Sequence, residues 1–179
     1  VPNNAYLVVV GDVDHRAVFQ LAERHYGKLK ARALPERKPQ IEPEQTGVRR
    51  LTVKAPAELP VILLAFKTPT LRDVERDSDP YALEMLAAIL DGHEGARFSK
   101  NLVRTQRLAV SAGAGYDATA RGPALFYISA SPSRGRTVAE LEAALRAEIS
   151  RIAEAGVTDE ELARAKAQLV AGEIYKLDS

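Results

Sequence analysis

Apolar positions change their period several times along this chain, and each period predicts an element. Tyr6, Leu7, Val8, Val9 and Val10 form an unbroken apolar run closed by Gly11, the pattern of a central strand buried on both faces. Asp14 is placed to cap a helix on which Val18, Leu21, Ala22 and His25 share one side, ending near Gly27. Residues 31–47 carry Pro35, Pro39 and Pro43 and no period, so they predict an extended surface crossover inside one domain. Leu51 and Val53 alternate with Thr52 and Lys54, and 61–66 is a second apolar run; Pro56 and Pro60 bracket the turn between these two strands.

Asp79 followed by Pro80 reads as a cap with proline at the first helical position, and Leu83, Leu86, Ala87 and Leu90 then recur at helical spacing before Gly92. A shorter helix is predicted over 96–107, with Phe98 and Leu102 facing inward. Residues 109–116, rich in small side chains, and 125–131 predict another strand pair joined by a polar turn at 117–123. Thr137 with Glu140, and Thr158 with Glu161, have capping-box spacing, each followed by an apolar stripe: Leu141, Leu145, Ile149 and Ile152, then Leu162, Ala165 and Leu169. The resulting order, β-α-β-β-α-α-β-β-α-α, is not the strict alternation of a doubly wound parallel sheet. It predicts an α+β fold, a largely antiparallel sheet with helices packed on one face.

Composition narrows the function. At 179 residues and 46% hydrophobic, residues 1–179 can form a single α+β domain that buries roughly 70% of its unfolded surface. Lys and Arg number 25 against 24 Asp and Glu, a net charge of +1, which gives no reason to expect nucleic acid or an anionic membrane as partner. With no cysteine, disulfides and thiolate chemistry are both excluded. No apolar stretch is long enough to span a bilayer. Val1-Pro2-Asn3-Asn4 lacks an initiator Met and runs directly into the first apolar segment, so the sequence reads as a fragment of a longer chain whose targeting signal would lie outside it.

The candidate chemistry is sparse. A metal hydrolase needs two or three converging nitrogen or carboxylate ligands and a general base. The three histidines, His15, His25 and His93, do not supply such a cluster, so neither a catalytic residue nor a metal ligand is expected. Asp12 and Asp14 fit a turn and a helix cap better than a cation site, and Gly11 lacks the following glycines of a phosphate loop. His25 reads as a packed or half-exposed helix residue and His93 as a loop residue. Gly92 and Gly95 fit helix-end chemistry, with a hinge or substrate-facing loop as the sharper reading. Ser111 has no histidine partner placed by sequence, and the small residues around it suit close packing.

Taken in order, these segments resemble the second, non-catalytic domain of a pitrilysin/insulinase-type zinc metallopeptidase. The likeness rests on Val8-Val9-Val10-Gly11-Asp12-Val13-Asp14, on His25-Tyr26-Gly27-Lys28-Leu29 and on Arg97-Phe98-Ser99-Lys100-Asn101-Leu102-Val103-Arg104. The small-residue strand and Gly156-Val157-Thr158-Asp159-Glu160-Glu161-Leu162 complete it. The resemblance implies two halves of two similar domains enclosing a peptide-cutting chamber, with zinc held by H-x-x-E-H in another domain. That motif is absent here; His93-Glu94 lacks its second histidine. The implied role is a non-catalytic domain that shapes the peptide-binding chamber and docks to the zinc-bearing domain of the same parent or to a second subunit. An inactive homologue acting as a structural or partner-binding subunit is the alternative.

The family also presents an Arg and a Tyr to substrate, in a pattern like L-x-R followed by L-A-Y. Arg104 matches the arginine and Leu108-Ala109 the next positions, with the spacing one residue short and Val110 where tyrosine would stand. The resemblance thus makes Arg104 the candidate substrate-binding residue, implies peptide substrates, and is compatible with a periplasmic or exported location. The departure at Val110 favours a parent that carries zinc itself and takes the Arg/Tyr pair from a partner.

Overall fold

The structure, a computed structural model, describes every residue except 37, 39–42 and 177–179. Contacts divide the chain into two compact units, Val1–Val53 and Lys54–Ser179.

In the first unit a 3-10 turn at Pro2–Asn4 precedes helix α1 (His15–Tyr26), whose ends follow the local sequence. Asp14 Oδ1 accepts a hydrogen bond from the Arg16 N–H at 2.8 Å, and the Gly27 N–H donates to the Glu23 carbonyl. Val18 and Ala22 are half-buried, whereas Leu21 and His25 are exposed rather than packed. The central strand expected over 6–10 does not form: these residues sit in no ladder, and Tyr6 and Val10 are 97% and 92% exposed. Residues 51–54 are likewise unpaired and exposed. Apolar, β-branched side chains favour an extended backbone, but a strand is stabilised by cross-strand pairs, which a local run cannot supply. Among the described residues of 31–47 the chain is irregular, as its prolines require; positions 37 and 39–42 of that crossover lie outside the described residues.

The second unit is built on a three-stranded antiparallel sheet of β1 (Ile62–Thr68), β2 (Ala109–Gly115) and β3 (Ala124–Pro132), in the order β1-β3-β2. Ile62 pairs with Ala130, Phe66 with Phe126 and Gly115 with Tyr127; the β2 register shifts between Ala109 and Ser111 and leaves Val110 in a bulge. Burial alternates strictly on β3. Ala124, Phe126, Ile128, Ala130 and Pro132 are buried, while Leu125 and Tyr127 are exposed, so the sheet has one covered and one open face.

Helices cover the inner face. Leu90 of α2 (Asp79–Asp91), Phe98 and Leu102 of the segment Phe98–Thr105, and Leu141 and Leu145 of α3 (Val138–Ala155) are wholly buried against Ile62, Phe126 and Ile128. Each such side chain contributes about 1.5–3 kcal/mol by leaving water. Helix α4 (Asp159–Tyr175) forms an outer layer on α2 through Ala165, packed with Ala88 and Ile89. The α+β arrangement with helices on one face is therefore present.

Both capping boxes form. Thr137 Oγ1 accepts from the Glu140 N–H while Glu140 Oε2 accepts from the Thr137 N–H, and Thr158 and Glu161 repeat the pattern. Two details differ from the sequence reading. Ser78 rather than Asp79 occupies the cap of α2, without a side-chain bond, and Asp79 is the first helical residue, where its charge suits the helix dipole. Phe98–Thr105 is a π-helix, with the Gln106 N–H bonded to the Asn101 carbonyl five residues back. Among the described residues no helix is long and apolar enough to cross a membrane.

Candidate functional site

Arg104 lies in the last turn of the π-helix, exposed at the surface. Its Nη2 donates to the carbonyl of Glu94, fastening the π-helix to the loop that follows α2. The loop is also held from within. His93 Nδ1 accepts the Gly95 N–H at 2.9 Å, and the Ala96 N–H donates to the His93 carbonyl at 2.8 Å. His93 is thereby a loop-fixing residue, with one ring nitrogen already committed. Gly92–Gly95, read from the sequence as helix-end chemistry, and Arg104, the candidate substrate-binding residue, meet here in one surface.

Beneath this loop, the Asp91 carboxylate accepts the Ala114 N–H of β2 at 3.3 Å. A Cβ on Gly113 would stand 3.0 Å from Asp91 Oδ2, so the glycine lets strand and carboxylate approach. Burial, the largest influence, pushes the Asp91 carboxyl up from its ordinary value, and nearby Glu94 adds to the rise.

The base of the π-helix is tied to both C-terminal helices. Arg97 grips Glu161 with two parallel bonds, Nε to Oε1 at 2.8 Å and Nη2 to Oε2 at 2.9 Å, and also reaches the Gly156 carbonyl at 3.2 Å. The Arg97 hydrogen bonds, aided by those of Thr158, hold the Glu161 carboxyl at about 2. One helical turn on, Asn101 Nδ2 donates to both oxygens of the fully buried Glu148, which Arg151 neutralises at 2.8 Å. These contacts fix the direction in which the π-helix presents Arg104. The capping box revealed Glu161, but nothing in the local pattern marked Arg97 as its partner.

The remaining candidates are dispersed. His15 and His25 lie on α1, and Asp14 is occupied as its cap. Ser111 is an exposed β2 residue opposite Ser131. Among the described residues no three His, Cys, Asp or Glu side chains converge.

With this geometry in place, comparison with known proteins is decisive. Residues 1–169 match the family described as the peptidase M16 inactive domain. The chain belongs to that family. This M16 inactive domain is 34% identical, over 116 residues, to the zinc protease PqqE of Helicobacter pylori, a match covering 62% of the chain and 25% of that protein. It is 29% identical over 166 residues to an uncharacterised zinc protease of Rickettsia felis, covering 93% and 38% respectively. Among solved structures, a protease from Helicobacter pylori superposes with a TM-score of 0.77 at 26% identity, over 95% of the M16 domain and 41% of the protease chain. The chain thus spans about a quarter to two-fifths of the length of these relatives. The family and the sheet-and-helix architecture agree with what the sequence resemblance implied.

Proposed function

We propose that this M16 inactive domain is the companion domain of a zinc-dependent metalloendopeptidase, walling part of its peptide chamber and docking to the domain that holds zinc. The observation that carries the reading is the match to the inactive-domain family over residues 1–169, with relatives named as zinc proteases. The one-sided sheet supports it: helices occupy one face, and the other offers Leu63, Leu125 and Tyr127 beside Gly113, Gly115 and Ser129. Such a surface gives peptide apolar contact. The family match over residues 1–169 runs through both compact units, which supports reading residues 1–179 as one domain of a longer chain.

Zinc, in this reading, would be held by the other domain and would supply there the activation of the attacking water. Arg104 is the substrate-facing cation. One of its donors is committed to Glu94, which orients the guanidinium and leaves its other N–H groups for a substrate carbonyl or carboxylate. In the zinc-bearing parent, Arg104→Ala is expected to raise KM several-fold while zinc content stays constant. Replacing His15, His25 and His93 together by alanine should leave one zinc per parent chain. Loss of zinc in the triple variant would overturn the assignment, and an unchanged KM would remove Arg104 from it.

A further inference from the structure

Away from Arg104, a cavity of about 410 Å³ lies where the approach to β1, the β2 bulge and the turn after β3 come together. Leu59, Pro60, Val110 and Pro132 give it apolar walls; Arg134, Arg136 and Glu58 also line it. The turn bearing the arginines is rigid. The Ser133 N–H donates to the Leu108 carbonyl and the Arg136 N–H to the Ser133 carbonyl, each at 2.9 Å, and Gly135 takes the left-handed φ of +82°, which favours glycine. Arg136 stands 3.8 Å from Glu140, whose carboxylate is already engaged by Thr137. Arg134 has no ion-pair or hydrogen-bond partner among the described residues.

An unpaired guanidinium beside apolar walls, on a backbone that cannot easily withdraw it, suits a carboxylate attached to an apolar group. Glu58 sharpens the choice. Arg136 is already matched by Glu140, so Arg134 is the one uncompensated guanidinium, and the Glu58 carboxylate on the same wall repels a second negative charge, which disfavours phosphate and polyanions.

We infer that this cavity is a subsite for a peptide carrying one carboxylate next to an apolar side chain, with Arg134 as its specificity-determining residue. Assigning the ligand to peptides rests on the chamber reading above; the carboxylate preference rests on the cavity itself. The carboxylate can come from an Asp or Glu side chain or from a peptide C-terminus, and the pocket chemistry is the same for both.

The test is a ¹⁵N NMR titration of this chain at low salt with three N-acetylated peptides: Ala-Leu-Asp-Ala amide, Ala-Leu-Asn-Ala amide and Ala-Leu-Asn-Ala with a free C-terminus. At least one carboxylate probe should shift the amides of Ser133, Gly135 and Arg136 and bind about tenfold more tightly than the neutral amide, the gain of one charge-assisted contact. Which probe does so identifies the source. Arg134→Ala should abolish the preference, Glu58→Gln should strengthen carboxylate binding, and Arg121→Ala, at the other end of β3, should change nothing. Equal binding of all three probes, or a preference that survives Arg134→Ala, would overturn the inference. Because the titration needs no catalysis, failure here is separable from failure of the parent to cleave peptides.

Discussion

Replacing Glu161 by glutamine isolates the charge that joins the π-helix to α4. Gln can still complete a capping box, so the change removes the ion pair with Arg97 and little else. The fall of the Glu161 carboxyl from 4.5 to about 2 corresponds to at most about 3.5 kcal/mol, at about 1.4 kcal/mol per tenfold in proton affinity. Its side chain is 30% exposed, and solvent screening reduces the expected contribution to about 1–2 kcal/mol. Because the folded state holds this carboxyl below its unfolded value, the stabilisation is complete above about pH 4.5. It is lost as pH falls through that value toward 2. Urea unfolding of the native and Glu161→Gln chains between pH 7 and pH 2.5 should show a gap of about 1–2 kcal/mol at neutral pH that closes on acidification. Equal stabilities at pH 7, or a gap independent of pH, would refute the reasoning.

Three further perturbations probe the sheet and its cover. A Cβ on Gly115 would stand 2.3 Å from the Tyr127 ring; Gly115→Ala should cost about 1 kcal/mol, and in a Tyr127→Ala background the cost should vanish, as a double-mutant cycle by denaturant melts would report. Leu145→Ala empties a fully buried core position and should lower unfolding free energy by about 2–5 kcal/mol. Asp91 is held above its ordinary 3.8 by burial, so its charged form is a liability at pH 7. Asp91→Asn should be at least as stable there, with any advantage fading as pH falls toward 3.8.

Which features were legible in the sequence follows from how far apart their determinants lie. Thr137 with Glu140 and Thr158 with Glu161 set their helix starts within four residues, and both formed as the spacing required. Phe98 and Leu102 were placed inward by period alone and are fully buried. The run at 6–10 had the composition of a strand, yet a ladder needs a second segment, and the run remains exposed. The π-helical winding of Phe98–Thr105 turns on backbone hydrogen bonds that reach five rather than four residues back, as the Gln106 N–H does to Asn101, which an apolar stripe does not encode. Arg104 is a candidate only through resemblance to a motif, and its tie to Glu94 joins residues whose pairing depends on how the loop folds. The cavity at Arg134 was beyond local reading because its walls come from three segments between residues 58 and 136.

The central claim is that this domain assists a zinc-dependent cleavage it does not itself perform. It is tested most directly by following a quenched fluorescent peptide with the separately prepared zinc-bearing domain while this chain is titrated in. Saturable stimulation, abolished by chelator and with no turnover from this chain alone, is the expected result. Hydrolysis by the isolated chain, or a zinc-bearing domain whose rate is indifferent to its presence, would contradict the account.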